Sequence, residues 1–399
     1  MSADRDHVLL FSTRIVRLFG YGFLALVLVL YLEAAGLTAA QTGIVLSLTL
    51  AGDAVLSVLL SAYADRIGRR RTLIIGALLM FGAGIAFAAT SDFTLLVLAA
   101  AIGVISPSGG EVGPFLPIEQ VALSETLPAE RRTSVFAWYN LVGSLATATG
   151  SLAAGAGVDV LMKSGMAAIE AYRAAVLAYA ALGLVLLVLF AMLSQRVELS
   201  RKPAEPPLAP SSRSRRVIMR LSMLFAIDAF AGGFVVQSIV AYWFHLRFGA
   251  SLLQLGRLFF AANLLAGVSA LAAAAIARRI GLLNTMVFTH LPSNVLLILV
   301  PLMPSFEWAV TLLLMRFAIS QMDVPTRQAY VISAVEPHER SAAAGITTVA
   351  RTVGAALAPA IAAPLVAAAG AAASVPFFVA GALKIVYDLA LLVAMKRAE

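Results

Sequence analysis

The sequence contains no cysteine, so disulfides, thiolate metal sites and cysteine nucleophiles are excluded. It has only four histidines, and without thiolates we expect no soft-metal site. Charged residues make up only 13% of the 399 residues, whereas 61% are hydrophobic and the mean hydropathy is +0.93. A soluble domain of this size needs more polar surface to cover its core. The composition therefore indicates a membrane protein with several spans.

Other absences narrow the class further. The sequence has no Gly-x-x-x-x-Gly-Lys-Ser loop, so we do not expect ATP to supply energy. No nucleophile stands beside a base and no cluster of metal ligands is visible, which argues against an intramembrane enzyme. A sensor usually carries a folded soluble domain, and no polar stretch here is long enough for one. We therefore expect neither an enzyme nor a non-transporting sensor, and no cofactor or metal.

Twelve apolar segments are long enough to cross a bilayer, since a transmembrane helix needs about 20 residues. They form two sets of six, on either side of a polar stretch. This pattern predicts an all-α polytopic membrane protein with twelve transmembrane helices. The segments are residues 8–34, 42–64, 72–91, 93–123, 133–161 and 173–195, then 217–246, 251–277, 282–303, 306–334, 341–370 and 374–396.

Residues 199–216 separate the two sets and are rich in proline, serine and charge, which is typical of a flexible linker. We therefore predict two six-helix bundles, residues 1–198 and 217–399. The net charge of +8 arises mainly from basic residues in this linker and in loops on the same side. The positive-inside rule predicts that this side and both termini face the cytoplasm. The charge is therefore no sign of a nucleic-acid partner.

Residues repeat between the two halves at nearly fixed offsets of 213 and 208 positions. Hydrophobic bias aligns apolar residues by chance, but not glycine, proline, glutamine and arginine together. The repeat indicates two related halves, as many transporters have. The matches are Gly36 with Gly249, Gln41 with Gln254, Gly68 with Gly281, Pro117 with Pro325, Gln120 with Gln328 and Arg132 with Arg340.

A charged loop between spans 2 and 3 is similar to the signature Gly-x-Leu-Ala-Asp-Arg-x-Gly-Arg-Arg of the major facilitator superfamily. Asp65, Arg66, Gly68, Arg69 and Arg70 match this pattern, and Ser61 and Tyr63 replace its leading Gly and Leu. Glu125, Pro128 and Arg132 after span 4 resemble the superfamily's Glu-x-x-Pro-x-x-x-Arg loop. The resemblance covers the whole chain, and it implies two pseudo-symmetric six-helix bundles. The second half has Arg278 where the first has Asp65, so we expect the two copies of the loop to differ in role.

The resemblance implies a cytoplasmic gate in which the loop aspartate, Asp65, pairs with the start of span 11 and with a nearby arginine. An anion is stabilised at such a helix N-terminus. The alternative is that the arginines of the loop only orient the chain. The predicted gate residues are Asp65, Arg66, Gly68, Arg69, Arg70, Glu119, Glu125, Arg132, Arg327 and Arg340.

Ionisable residues at membrane depth are costly unless they are paired or hydrated, so each is a functional candidate. We predict that Asp53, Glu111, Asp228 and Asp323 are candidates for proton coupling. Glu111 lies in residues 106–114, where two prolines and three glycines predict a broken helix. Such breaks occur mainly where a span lines a cavity or contacts other protein.

Four pairings are predicted among the charged residues, each open to a functional or a purely structural interpretation. Because spans 2 and 11 pack together in the superfamily, Asp53 is expected to meet Arg351. Asp323 and Arg327 are four residues apart on one helix face. Two further predicted pairs are Glu119 with Arg327, at equivalent repeat positions, and Lys384 with Asp388, which we interpret as structural.

Polar and aromatic side chains on spans expected to line a central cavity are candidates for substrate contact, although packing roles are equally open. We predict as cavity residues Arg17, Tyr21, Trp138, Tyr139, Asn140, Gln237, Asn263, Arg316, Gln321 and Arg351.

We predict a monomeric secondary active transporter of the bacterial inner membrane, driven by protons and working by alternating access. Its partners are the lipid bilayer, protons and a small-molecule substrate. Export of a small organic or drug-like compound is the leading hypothesis, similar to drug/proton antiporters of the superfamily. The alternative is proton-coupled import of an organic anion held by Arg17, Arg316 or Arg351.

Overall fold

The computed structural model describes residues 2–127, 129–198, 212–336, 339–368 and 370–396. Its regular structure in these ranges is helical. The first half contains seven α-helices and a short 3-10 helix, Gln195–Glu198. The α-helices are α1 (Ser2–Ala34), α2 (Ala39–Ile67), α3 (Arg69–Ala89), α4 (Phe93–Ile102), α5 (Phe115–Thr126), α6 (Ala129–Lys163) and α7 (Ala168–Ala191).

The second half begins with a helix at Ser212, so the last residues of the predicted linker are helical, and residues 199–211 lie outside the described part. Two short 3-10 helices, Val300–Leu302 and Gly370–Ser374, precede its tenth and twelfth spans. Its α-helices are α8 (Ser212–Gly233), α9 (Gln237–Phe248), α10 (Leu252–Ile280), α11 (Leu282–Leu299), α12 (Phe306–Ser320), α13 (Asp323–Ser333), α14 (Arg340–Leu357), α15 (Pro359–Ala367) and α16 (Val375–Lys396).

Ten helical segments in the described part are long and apolar enough to cross a membrane. The fourth and tenth spans make up the remaining two, and each is divided into two shorter helices. The fourth is interrupted after Ile102, where the proline- and glycine-rich stretch was predicted to break the helix, and resumes at Phe115. The protein is therefore an all-α membrane protein of twelve spans, as the sequence predicts.

The repeat also appears in local geometry. Thr38 caps α2 by accepting a hydrogen bond from the Gln41 backbone N–H at 3.3 Å, and the Gln41 side chain accepts from Thr38 N at 2.9 Å. Ser251 and Gln254, 213 residues later, form the same capping box on α10, at 3.2 and 2.8 Å. Reciprocal capping satisfies two backbone donors that the first helical turn leaves free. The same residues thus start the second span of each half.

The two ends of the helix bundle differ in their contacts. At one end, here called the basic end, Asp6 accepts hydrogen bonds from Ser194, and Glu198 accepts from the backbone after Gly68. The end away from it is called the opposite end.

Among the described residues, the hydrogen bonds that join the two halves lie from mid-depth towards the opposite end. Gly43 and Gly155 let backbones from the two halves approach closely there, since a Cβ on either would lie within 2.7 Å of the other half's backbone. The two halves are thus tightly packed at this end. The four bonds are Gln237 to Ser151, Tyr242 to Glu33, Ala360 N to Ser47, and Ser238 N to the Pro107 carbonyl.

Candidate functional site

A balanced set of charges lies inside the first half, between α1, the interrupted fourth span and α6. Arg17 is fully buried, and its Nε contacts Glu111 at 2.7 Å. Its Nη1 and Nη2 bind the two oxygens of the fully buried Glu119 at 2.8 and 2.7 Å. Such bidentate pairing is the strongest form of arginine–carboxylate contact. We call Arg14, Arg17, Glu111 and Glu119 the N-half cluster.

Arg14 completes this cluster from one helical turn earlier. Its Nη1 contacts Glu111 at 2.9 Å, its Nε donates to the Tyr139 carbonyl at 2.7 Å, and its Nη2 donates to Asn140 at 3.2 Å. Gly143 makes this position possible, because a Cβ there would lie 2.7 Å from the Arg14 Nε. Two arginines and two glutamates therefore neutralise one another.

Three predicted cavity residues belong to this packed interior. All three nitrogens of the Arg17 guanidinium bind carboxylates. Tyr139 is fully buried and donates its hydroxyl to Glu119, and the equally buried Tyr21 donates to the Val112 carbonyl at 3.1 Å. The prediction that these three side chains line a cavity is wrong for this conformation, because their polar groups already have buried partners.

In the second half, Asp228 on α8 is the centre of a larger set of charges. Its Oδ1 accepts from Lys384 at 2.6 Å, and its Oδ2 accepts from Arg327 at 3.3 Å and Arg351 at 3.2 Å. Gly232, one turn after Asp228, faces the Lys384 side chain, and a Cβ there would lie 3.7 Å from its Nζ, which is an ordinary contact distance. Asp228 thus joins spans 7, 10, 11 and 12.

Further polar residues extend this set. Asp323 contacts Arg327 at 2.7 Å, which confirms the pair predicted from their spacing. Asp388 receives a hydrogen bond from Asn294 at 2.9 Å and contacts His290 Nδ1 at 2.9 Å. Arg316 interacts electrostatically with Asp228 and Asp323 without a hydrogen bond to either. We call the charged members the C-half cluster: Asp228, Arg316, Asp323, Arg327, Arg351, Lys384 and Asp388, with His290 beside them.

The structure does not bring Asp53 and Arg351 together. Arg351 lies three residues before Gly354, which packs against the backbone of Ala226, so this face of α14 turns towards α8 rather than α2. Asp53 instead accepts hydrogen bonds from Gly113 N at 2.5 Å and Ser57 at 3.2 Å. The predicted pair between the halves is therefore wrong.

Two other predicted pairs are also wrong. Glu119 and Arg327 do not meet, because each is buried with partners of its own half. Lys384 and Asp388 do not bind each other, since Lys384 reaches Asp228 and Asp388 binds the span 9 side chains. Lys384, His290 and Asp388 were therefore not predicted as members of this cluster. The spacing of four between His290 and Asn294 indicated one polar face on span 9, but the same spacing between Lys384 and Asp388 suggested the wrong partner.

The loop that matches the superfamily signature is held within its own half in the described contacts. The Arg69 guanidinium contacts Glu125 at 2.6 Å, which joins the two motifs found in the sequence. Glu198, which the sequence analysis did not select, accepts from Arg69 N at 2.7 Å and Arg70 N at 3.0 Å. A carboxylate is stabilised there by the exposed N–H groups that begin α3.

Among the described side chains, the other predicted gate residues form no hydrogen bond or ion pair between the halves. Gly68 turns the chain with φ of 107°. Arg66 is exposed and lies over the Tyr63 ring, and Arg340 donates to the Ile332 carbonyl at 3.1 Å. The side chains of Asp65 and Arg132 lie outside the described part, so their predicted pairing stays a prediction.

The remaining predicted cavity residues differ in exposure. Trp138 and Asn140 are exposed, and Gln321 is half-buried at the end of α12. Gln237 is buried between the halves, where it donates to Ser151 at 3.1 Å and accepts from Asn263 at 3.2 Å. Their roles in substrate contact stay predictions.

Comparison with known proteins agrees with this architecture. The family model of the Major Facilitator Superfamily matches residues 10–359. The chain belongs to the major facilitator superfamily. It is 32% identical over 382 residues to the uncharacterized membrane protein YJR124C of Saccharomyces cerevisiae, an alignment that covers 88% of this chain and 85% of the yeast protein.

Solved structures of transporters share the fold of this superfamily member. A bacterial homologue of the human lysosomal transporter Spinster, in an inward-facing and unoccupied conformation, matches with a TM-score of 0.70 and 14% identity, covering 98% of this chain and 95% of that chain. A D-xylose-proton symporter matches with a TM-score of 0.72 and 16% identity, covering 96% of each chain. Because the family model assigns it to this superfamily, the chain is a membrane transporter and not an enzyme.

Proposed function

We propose that this chain is a proton-coupled secondary active transporter that moves a small organic solute by alternating access. The observation that carries the coupling is the environment of Asp53. Of the four predicted proton-coupling carboxylates, Glu111, Asp228 and Asp323 are ion-paired. Within the described ranges, Asp53 binds only the neutral donors Gly113 N and Ser57. A buried carboxylate without a cation favours proton uptake more than one held by cations.

The position of Asp53 links protonation to movement. It lies on α2, which also supplies Ser47 to the contact with Ala360 in the other half. Its partner Gly113 lies in the break that also carries Glu111 of the N-half cluster. A proton on Asp53 removes the negative charge that strengthens its bond to Gly113 N, and so loosens this break. Proton uptake is thereby connected to a segment at the boundary between the halves.

The experiment uses proteoliposomes that contain a pH-sensitive dye, to which candidate solutes are added. Asp53→Asn retains an acceptor for Gly113 N but cannot take up the proton. We expect it to abolish solute-induced pH changes while retaining exchange of labelled solute between equal pools. Ser57→Ala is the matched control, because it removes a neutral hydrogen bond and leaves the charge. Proton movement in Asp53→Asn at the wild-type rate, or none with any solute in the wild type, would overturn the coupling.

For direction, export of a small organic or drug-like compound remains our proposal, supported by the loop signature at Asp65 to Arg70. The second candidate is proton-coupled import of an organic anion. The C-half cluster favours this candidate because it contains four cations and three carboxylates. Right-side-out and inside-out vesicles distinguish the two when the periplasmic face of the membrane is kept acidic in both. Export in exchange for protons predicts accumulation in inside-out vesicles, whose lumen is then acidic. Import together with protons predicts accumulation in right-side-out vesicles, whose lumen is then alkaline.

We also propose a monomer in the bacterial inner membrane, with the basic end and both termini in the cytoplasm. The arginine-rich loops support this orientation. Reporter fusions at each terminus test the orientation, fractionation of the source cell tests the membrane, and light scattering in detergent tests the monomer.

A further inference from the structure

The C-half cluster has one more cation than it has carboxylates. Its cations are Arg316, Arg327, Arg351 and Lys384, and its carboxylates are Asp228, Asp323 and Asp388. These four cations and three carboxylates together carry one net positive charge. The N-half cluster, by contrast, is balanced.

Among the described residues, Arg316 is the cluster's cation without a hydrogen bond or ion pair; its guanidinium carbon lies 5.2 Å from the centre of the Phe317 ring. In the part of the chain that the structure describes, no side chain or carbonyl accepts a hydrogen bond from it, and its Nε is buried without an acceptor. The nearby carboxylates are occupied: Asp323 binds Arg327 at 2.7 Å, and Asp228 binds three other cations. Both carboxylates attract Arg316 electrostatically, but neither forms a hydrogen bond or an ion pair with it.

Arg316 lies on the inward face of its helix. On α12 it shares a stripe with Ala309, Leu313 and Ser320, all buried, whereas Met315 is exposed. It lies eleven positions after the N-cap Ser305, which places it about 16 Å along the helix axis at 1.5 Å per residue. That depth is about half of a hydrocarbon core of about 30 Å.

We infer that Arg316 binds the anionic group of the transported solute, so that the substrate class is a small organic anion. An unpaired cation at mid-depth is unfavourable, and an anion that arrives beside it recovers the missing ion pair. The guanidinium group suits this role because its planar donors bind carboxylate or phosphate at two points. This inference rests on the proposed function for the transport step, but binding itself is measured without transport.

The test uses the purified full-length protein and three anionic probes: benzoate, succinate and phenyl phosphate. Each is compared with an uncharged counterpart: benzamide, succinamide or phenol. We expect at least one anion to raise the unfolding midpoint, followed by tryptophan fluorescence, more than its counterpart does. Arg316→Gln should weaken that anion's binding at least tenfold in calorimetry, and Arg316→Lys should retain part of the affinity.

The exposed Arg257 provides the matched control, since Arg257→Gln also removes one cation from a span. Its affinity for the anion should equal that of the wild type. The inference fails if no anion is preferred to its counterpart by the wild type, a result that needs no variant to fold. It also fails if Arg316→Gln and Arg257→Gln bind the anion equally well. Anion binding without proton movement in liposomes would support the role of Arg316 and contradict only the proposed proton coupling.

Discussion

The two halves place charge at corresponding spans but with reversed sign. In the N-half cluster the first span supplies the cations and the fourth supplies the carboxylates. In the C-half cluster the seventh span supplies the central carboxylate, and spans 10, 11 and 12 supply its cations. Glu119 and Arg327, 208 positions apart, show the reversal at one repeat position. Both halves therefore hold a charged cluster on corresponding spans, but the signs of the charges are reversed.

One pair of equivalent repeat positions holds a glycine in the first half and an arginine in the second. At Gly143 the missing side chain leaves room for the guanidinium of Arg14. The position 208 residues later is Arg351, which supplies a guanidinium itself and reaches Asp228. The Arg351 side chain is 32% exposed, whereas that of Arg17 is 0% exposed. We therefore expect the first cluster to stabilise its half and the second to respond to solutes.

The largest effect is expected at Asp228. Asp228→Asn removes the carboxylate that binds Lys384, Arg327 and Arg351, and it leaves the buried Lys384 without an ion-pair partner in the described part of the chain. Removing one partner of a buried pair costs about 3–5 kcal/mol. The unfolding midpoint in detergent should fall sharply, and adding Lys384→Met should recover part of the loss. Asp53→Asn makes the same chemical change where no cation is bound, so its midpoint should change little. Equal losses in the two variants would show that ion pairing does not explain the role of Asp228.

The next effect tests whether each cluster is confined to its half. Arg17→Gln and Glu119→Gln should each destabilise the protein, and the double variant should lose less than the sum, with a coupling of about 0.5–3 kcal/mol. Glu119→Gln combined with Arg327→Gln should instead be additive within about 0.5 kcal/mol, since these residues share no partner. Double-mutant cycles of unfolding in mixed micelles measure both. Coupling in the second cycle would indicate that Glu119 and Arg327 do contact each other between the halves, as the sequence predicted.

The smallest effect compares two glycines. Gly143→Ala places a Cβ 2.7 Å from the Arg14 Nε, and overpacking of this kind costs about 1–3 kcal/mol. Gly232→Ala places a Cβ 3.7 Å from the Lys384 Nζ, an ordinary contact, so stability should change by less than about 1 kcal/mol, the helix-propensity gain of alanine. Thermal unfolding of the two variants side by side checks the difference. A greater loss at Gly232 would contradict the packing described.

Patterns along one helix could be predicted, whereas partners across helices could not. The break in the fourth span follows from prolines and glycines between Ser106 and Pro114, and the Asp323–Arg327 pair follows from a spacing of four. Lys384 also has an acid four residues later, yet it binds Asp228, because a long side chain can reach partners on any of the surrounding helices. Which partner it reaches depends on how each helix is rotated about its axis, and the linear spacing does not give that rotation. For the same reason Asp53 and Arg351 were wrongly paired, although spans 2 and 11 do pack together.

The backbone hydrogen bond from Ser238 N to the Pro107 carbonyl has a consequence for hydration. It joins the break in the fourth span to the first turn of α9 in the seventh span, across the two halves, so each segment supplies a backbone partner to the other. When the halves separate at the opposite end, a free N–H and a free carbonyl remain in a region where lipid offers no replacement, and each costs several kcal/mol. Water therefore has to enter as the halves part. Opening at this end is in that sense a wetting transition, and its rate should slow in heavy water or at high osmotic pressure.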